Sequence, residues 1–177
     1  MQQSDSRGEL AGELKALRDV FAYNTFVRKK YLSFIAKLPE KTLAKDRGAS
    51  FPSILDIFTH ILDDHKFWIY CYETGKQDLP EIKGLSLDEV KKFEEEVDDS
   101  IDRFMRKLNP SQLHKPFGFT VGHGKDKGKK TKWSLYGMLW HEVEEELQHR
   151  GEINALLWQD DIDPPVTSWY RWEKEAR

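Results

Sequence analysis

Four long segments of the chain carry apolar side chains at alternating spacings of three and four residues. This spacing is typical of an amphipathic α-helix, because it places one apolar stripe along a single helix face. Four such helices can bury their stripes against one another in a four-helix bundle. The predicted helices span residues 9–38, 53–74, 86–108 and 134–158.

Residues that start and stop helices support these boundaries. Ser53 is followed three residues later by Asp56, and Ser86 is followed at the same spacing by Glu89. Both serines are therefore predicted to cap free backbone N–H groups in the first turn of a helix. Pro39 ends the first helix, because proline in a helix interior clashes with the preceding turn.

The periodicity changes between the third and fourth helices. Phe117, Phe119 and Val121 alternate with other side chains, and a run of glycine and lysine precedes Trp133. Such alternation predicts a short β-hairpin over residues 113–133, with a glycine-lysine tip. The five lysines of the tip are interpreted as a solvated turn rather than an anion-binding patch. The same interpretation applies to two histidines in or beside the hairpin, His114 and His123.

We therefore expect an all-α fold, a four-helix bundle with a short β-hairpin between its third and fourth helices. The length of 177 residues corresponds to about one domain, predicted to cover residues 1–177. Aromatic residues make up 12% of the chain, which is too many for a disordered polar coil.

Charge and cysteine content narrow the functional classes. No apolar run is long enough to span a membrane, and a formal net charge of −3 gives no basic field for nucleic acid. The single cysteine, Cys71, excludes a disulfide framework and a cysteine-rich zinc site. Because the N-terminal residues lack an apolar signal region, a cytoplasmic location is expected.

Polar residues interrupt the apolar stripes of the first and fourth helices near their midpoints. Asn24 and Arg28 stand at inward positions of the first helix, and Glu142, Glu145 and His149 stand at inward positions of the fourth. Burying an ionised group without a partner costs several kcal/mol, on the order of magnitude seen in real proteins. These side chains are therefore predicted to bind something in the bundle core, where metal sites are common.

Glu145 and His149 have the spacing of two ligands that bind one metal ion from a single helix. They are four residues apart, about one turn, as are the two histidines of the HExxH zinc motif. His141 lies eight residues before His149, roughly 12 Å along the helix axis, so these two histidines cannot easily share an ion. Because His149 lies in the inward stripe, the pair Glu145 and His149 is preferred over the pair His141 and Glu145.

His60 in the second helix is the best candidate for a third ligand. It lies beside the apolar stripe, with Asp64 one turn further on. His65 lies on the stripe itself and is interpreted as a packed, hydrogen-bonded core histidine. The sequence alone leaves one alternative open, in which Arg28 and the carboxylates of the fourth helix, Glu142 and Glu145, form a buried salt-bridge network without a metal.

The motifs resemble those of the DinB-like superfamily of metal-binding four-helix bundles. Residues 53–62, SILDIFTHIL, resemble its second helix, and Tyr23-Asn24 resembles a pair in its first. The segment HRGEI at 149–153, followed by a Leu-Leu pair and by Asp163-Pro164-Pro165, is similar to its HRGQI signature. The resemblance implies metal ligands at His60 and His149, and it places Glu145 where the family usually has a third histidine. A His₂Glu set is nevertheless a known catalytic zinc site.

The resemblance implies a divalent metal, zinc or nickel, and a small-molecule substrate. Characterised relatives include mycothiol-dependent isomerases and bacillithiol transferases, so a thiol-transferase-like enzyme is the leading hypothesis, with hydrolysis by metal-bound water close behind. In such an enzyme Glu142 could act as a general base, and Arg28 or Asn24 could hold an anionic substrate group. The alternative is a non-catalytic metal-binding or structural bundle, with a homodimer as the expected assembly in either case. A ferritin-like di-iron site is disfavoured, because Glu146 and His149 form a Glu-x-x-His motif that has no second copy in the second or third helix.

Overall fold

The computed structural model describes residues 2–122 and 124–176, with side chains from residue 8 onward. Within these residues the chain is mostly helical, with six α-helices and one two-stranded antiparallel sheet. The long helices α3 and α4 contact each other, α3 also contacts α5, and α1 contacts both α4 and α5. The elements are α1 (Gln2–Ile35), α2 (Glu40–Leu43), α3 (Ile54–Thr74), α4 (Leu87–Lys107), β1 (Pro116–Thr120), β2 (Lys130–Ser134), α5 (Leu135–Gln159) and α6 (Trp169–Glu175).

The predicted helix starts are confirmed by their caps. The Ser53 hydroxyl accepts a hydrogen bond from the backbone N–H of Asp56 at 3.2 Å. Ser86 and Glu89 form a complete capping box at the start of α4. Gly75 ends α3 in a left-handed conformation, with φ of 69°, in which glycine avoids the steric cost of a side chain.

The first helix differs from its prediction at both ends. It already includes Gln2, and it ends at Ile35 instead of Leu38. The N–H groups of Lys37 and Leu38 bond to carbonyls three residues back, at 3.1 and 2.9 Å, so the last turn tightens out of α-helical geometry.

The hairpin packs its aromatic side chains against α3. Phe117 pairs with Trp133 across the two strands, and the ring of Trp68 meets those of Phe119 and Trp133 edge-on, at 5.4 Å each. Gly137 allows Trp133 to lie against α5, because a Cβ at that glycine would be 2.4 Å from the indole nitrogen. The hairpin therefore forms one wall over the C-terminal half of α3 and the N-terminal end of α5.

Two short helices lie outside the predicted elements. The helix α2 follows Pro39, and α6 follows the last predicted helix, over Trp169–Glu175. Trp172 of α6 is buried and meets Tyr23 at a ring separation of 6.1 Å. Among the described helices, none combines the length and the apolar character that a membrane span requires.

The structure tests the predicted solvent exposure of one of the two histidines in or beside the hairpin. His114 is exposed and lies 2.8 Å from the carboxylate of Glu13, as expected for a solvated side chain. His123 lies outside the described residues.

Candidate metal centre

The structure brings His60, Glu145 and His149 together between α3 and α5. One donor atom from each of the three side chains lies within 4.8 Å of the other two. The His149 Nε2 atom is 3.3 Å from Glu145 Oε2, and the imidazole rings of His60 and His149 are 4.8 Å apart between centroids. The three residues that sequence reasoning selected are therefore neighbours in space.

Glu152 fixes the orientation of the His149 ring. Its carboxylate lies 3.1 Å from His149 Nδ1 and also accepts hydrogen bonds from the backbone N–H and the hydroxyl of Ser50. Burial alone raises the pKa of Glu152, but the hydrogen bonds from Ser50 and His149 outweigh it, and the net pKa is lowered. A carboxylate at this place can accept a hydrogen bond from Nδ1–H of His149, and in that tautomer the Nε2 lone pair faces Glu145 and is available to a metal. This is the usual arrangement around a metal-binding histidine.

The His60 ring is held by stacking and is kept neutral by its surroundings. It stacks on Phe51 with 4.2 Å between ring centroids. Burial, followed by the proximity of His149, lowers the pKa of His60 below its usual range. Because only the neutral imidazole has a lone pair for a metal, these surroundings keep His60 in its metal-binding form.

A cavity of about 650 Å³ opens beside the three residues. Its walls are mainly aromatic and apolar, and come from α3, from the loop that follows it and from the hairpin. Gln77 closes the edge of the hairpin by exchanging two hydrogen bonds with the backbone of Thr120, at 2.6 and 2.9 Å. The principal apolar wall residues are Phe67, Trp68, Leu79, Pro80, Phe119 and Val121.

A second group of possible metal ligands adjoins the first. Donor atoms of Asp64, His141 and Glu142 also lie within 4.8 Å of one another. Burial, followed by the nearby Glu142 carboxylate, raises the pKa of Asp64 to about 9. In the metal-free protein Asp64 is therefore a neutral carboxylic acid at pH 7.

A buried charge network lies deeper in the core, behind these two groups. The Arg28 guanidinium donates to Asp98 at 2.6 Å and also to Glu146. The imidazole of His65 lies 3.0 Å from Glu146 and 2.8 Å from Glu142. We call Arg28, His65, Asp98 and Glu146 the charge network.

The charges of the charge network are balanced by one another and by neighbouring ionisable side chains, chiefly Glu142. Burial raises the pKa of Glu146, but the Arg28 charge and the His65 hydrogen bond outweigh it and lower that pKa to about 2. Burial lowers the pKa of His65, but the charge of Glu142 and the hydrogen bonds to Glu142 and Glu146 raise it to about 9. At pH 7 the network therefore contains an ionised carboxylate and an imidazolium ion.

The raised pKa of His65 predicts a loss of stability at alkaline pH. Because the pKa of about 9 in the folded protein exceeds the value of about 6.5 in an unfolded chain, protonation of His65 stabilises the fold fully below about pH 6.5. This contribution is lost as the pH rises through about 9. With a chelator present, the wild type should therefore lose more stability between about pH 6 and pH 9.5 than His65→Gln does, as measured by urea unfolding. An equal loss in both proteins would contradict the assignment, and His114→Gln serves as a surface control.

Two of the α5 residues that were predicted to face the bundle core, Glu145 and His149, lie at its side instead. Glu145 and His149 are 28% and 13% exposed at the side of the core, whereas Glu146 and Arg150, one position further round the helix, are buried. The metal hypothesis and the salt-bridge hypothesis were therefore not exclusive, because each set of residues occupies its own side of the helix. The predicted network partners Glu142 and Glu145 are replaced at Arg28 by Glu146 and Asp98.

Arg28 and Asn24 do not line the cavity. Each is 1% exposed, and the Arg28 guanidinium is engaged by Asp98 and Glu146. Neither is placed to hold an anionic substrate group in this cavity. His65 is a packed core histidine, as predicted.

Asp98 and Glu152 were not among the residues that the sequence analysis selected. Asp98 of α4 stands in a strongly acidic helix, so the sequence did not single it out. Glu152 did carry a signal, since it lies three residues after His149, on the same helix face.

Removing the Glu152 charge should weaken metal binding without removing a ligand. Glu152→Gln keeps the size of the side chain but loses the negative charge of the carboxylate that contacts His149 Nδ1. We expect a loss of divalent-metal affinity of roughly 10- to 100-fold, the usual effect of removing a group that hydrogen-bonds to a metal ligand. Competition with a chromophoric chelator measures it, with Glu144→Gln on the exposed face of α5 as the matched control. Equal affinities of the two variants would show that Glu152 does not orient the site.

Comparison with known proteins supports the fold and the family. A DinB-like protein from Bacillus cereus ATCC 10987 has a similar structure, with a TM-score of 0.62, 13% sequence identity, and coverage of 87% of this chain and 97% of that chain. A protein from Streptococcus pneumoniae has a TM-score of 0.52 and 17% identity over 87% and 90% of the two chains. No curated protein sequence gives a significant match. The sequence profile of the DinB family matches residues 2–176, nearly the entire length. The chain therefore belongs to the DinB family.

Proposed function

We propose that His60, Glu145 and His149 bind a divalent metal ion, zinc or nickel, and that the protein is a metal-dependent enzyme acting on a small molecule. The observation that carries the proposal is the convergence of three donors at the wall of a cavity of about 650 Å³. The long helices are proposed to form the four-helix bundle that supports this site.

The chemistry of the three donors fits such an ion. Zinc bonds to imidazole nitrogen and carboxylate oxygen are about 2.0–2.2 Å long, so donors on one ion lie roughly 3.4 Å apart in a tetrahedral site. The Glu145 to His149 separation of 3.3 Å already has this value, and the upper limit of 4.8 Å among all three requires only small side-chain shifts. Three protein ligands leave a coordination position open, as in catalytic rather than structural zinc sites.

The cavity favours a substrate that is neutral or positively charged. None of the described residues that line it is lysine or arginine, whereas Asp63, Glu81 and Glu145 are among them. Its aromatic wall around Trp68 and Phe119 suits an apolar or planar group. An anionic group of a substrate would therefore have to bind to the metal ion, since the described lining residues offer it no lysine or arginine.

Any reacting thiol is proposed to come from outside the protein. Cys71 is 3% exposed, and burial, followed by the proximity of Asp64 and Glu142, raises its pKa to about 11. It is therefore a protonated and inaccessible thiol at pH 7. A bound divalent metal supplies the chemistry that an external thiol needs, because it lowers the pKa of a coordinated thiol.

Cobalt substitution tests the open position directly. Adding 2-mercaptoethanol, a neutral thiol, to the Co²⁺-loaded protein should produce a sulfur-to-cobalt charge-transfer band. The band should be absent from His149→Ala, which loses a ligand, and present in Glu144→Gln, the exposed control. Stoichiometric cobalt binding with no thiol band would overturn the thiol-transferase form of the proposal and would favour hydrolysis or a non-catalytic binding role. No bound metal at all would overturn the proposal itself.

We also propose a homodimer that uses the exposed face of α5. Trp140, Leu147 and Trp158 are 40%, 52% and 58% exposed, and their spacings of seven and eleven residues place them on one helix face. Leu147→Glu should convert a dimer to a monomer in sedimentation equilibrium, whereas Gln148→Glu, beside the stripe, should leave it dimeric. A wild-type protein that is monomeric at all concentrations would contradict the proposal.

A further inference from the structure

We propose that Asp64, His141 and Glu142 form a second divalent-cation site, so that the protein holds two metal ions with the Glu145 carboxylate between them. The inference rests on the proposed function for the first ion and extends that same site. It is carried by the donor geometry, by an unpartnered buried carboxylate oxygen and by the position of Glu145.

The Glu142 carboxylate is buried with one oxygen paired and the other unpaired. Its Oε2 atom lies 2.8 Å from His65 Nδ1. The residue is 3% exposed, and its Oε1 atom has no hydrogen-bond donor among the described residues. Asp64 Oδ2 is likewise buried without a donor in the described part of the chain. Two carboxylates that face each other at close range cannot both be ionised unless a cation or a proton lies with them. In the metal-free protein the proton on Asp64 lies with them, and a divalent ion between Asp64 and Glu142 would take the place of that proton.

His141 provides the third donor, and its ring is held in place. The ring meets Trp68 at 5.8 Å and Trp133 at 5.2 Å between centroids, and it lines the cavity. Because α3 and the hairpin hold the two indole rings, the imidazole stays next to the two carboxylates. One imidazole and two carboxylates form a harder donor set than the first group, suited to Mn²⁺, Fe²⁺ or Zn²⁺.

Glu145 connects the two groups. Its Oε2 atom is 3.3 Å from Nε2 of His149 in the first group, and its Oε1 atom is 4.0 Å from Nδ1 of His141 in the second. A carboxylate with one oxygen toward each of two ions is a bridging ligand. A histidine at this place would bind a single ion equally well, whereas a glutamate can bridge two ions. The bridging role therefore explains why position 145 is a glutamate.

Calorimetric titration of the metal-free protein with Zn²⁺ tests the inference. The wild type should bind two equivalents, Asp64→Asn one and His149→Ala one. Asparagine keeps the shape of the protonated Asp64, so this variant should retain the thermal unfolding midpoint of the metal-free wild type. Asp63→Asn is the matched control, because Asp63 lines the same cavity but belongs to neither group, and it should bind two equivalents.

The outcomes separate this inference from the proposed function. One equivalent in both the wild type and Asp64→Asn, with none in His149→Ala, would overturn the second site and leave the first intact. Two equivalents in Asp64→Asn would also overturn it. If Asp64→Asn bound one equivalent while His149→Ala still bound two, the first site would be overturned instead. With Mn²⁺ as the probe, the wild type should show the broadened electron paramagnetic resonance spectrum of a coupled ion pair, and Asp64→Asn the spectrum of an isolated ion. An isolated-ion spectrum in the fully loaded wild type would contradict a pair bridged by Glu145.

Discussion

His149→Ala should weaken binding of the first divalent ion by more than about 100-fold, since removing a group that only hydrogen-bonds to a metal ligand already costs roughly 10- to 100-fold. The substitution removes the nitrogen that lies 3.3 Å from Glu145, and it also leaves Glu152 without the ring it orients. His60→Ala should have a similar effect, because it removes a neutral imidazole from the same group. Isothermal titration with Zn²⁺ or Ni²⁺ measures both losses.

The control for these two variants is another histidine that makes a carboxylate contact. His114 lies 2.8 Å from Glu13 on the surface, and neither residue belongs to a group of possible metal ligands. His114→Ala should therefore bind metal like the wild type. Unchanged affinity at the first site in either His60→Ala or His149→Ala would remove that histidine from the ligand set.

Arg28→Met should destabilise the folded protein by about 3–5 kcal/mol, the usual cost of removing one partner from a buried ion pair. Methionine has a similar length and is apolar, so the loss comes mainly from the carboxylates left behind. Among the described residues, Glu146 would keep His65 and a more distant Arg150, at 3.5 Å, as cationic neighbours, and Asp98 would keep Lys29, at 3.3 Å. Urea unfolding at pH 7 measures the change in the free energy of unfolding.

A surface ion pair gives the matched comparison for Arg28. Lys15 lies 2.6 Å from Asp19, but its side chain is 73% exposed, so Lys15→Met should cost less than about 1 kcal/mol. Adding Glu146→Gln to Arg28→Met should recover part of the loss, because it removes one uncompensated charge. A loss below about 1 kcal/mol in Arg28→Met would show that the charge network contributes little to stability.

Much of the fold could be predicted because its signals are local. The serine caps at Ser53, Ser86 and Ser134 act within one turn, and the structure shows each of them. The alternation around Phe117 predicted a hairpin over residues 113–133. In the structure the paired strands begin at Pro116 and end at Ser134. The helix α6 was missed, since its aromatic residues have no clear apolar period of their own and become ordered by packing on α1.

The first group of possible ligands could be predicted in part from spacing and in part from family resemblance. The four-residue spacing of Glu145 and His149 indicates that they share a helix face. No such spacing links His60 to them, so the resemblance to DinB-like proteins was the stronger reason to include it. The second group could not be predicted in this way. Asp64 and His141 are 77 residues apart in the sequence, and nothing local to either indicates the other.

The sequence by itself determined the presence of the four long helices, the serine caps that begin α3 and α4, and the ionisable side chains that interrupt the apolar stripes of the first and last long helices. Those features depend on interactions within a turn or two of the chain. Only the tertiary structure decided how α5 is rotated against α3 and α1, and hence that Glu146 and Arg150 face the core while Glu145 and His149 face the cavity. The reason is geometric, because neighbouring positions on a helix differ by about 100°, and only the packing of the other helices selects which direction is buried.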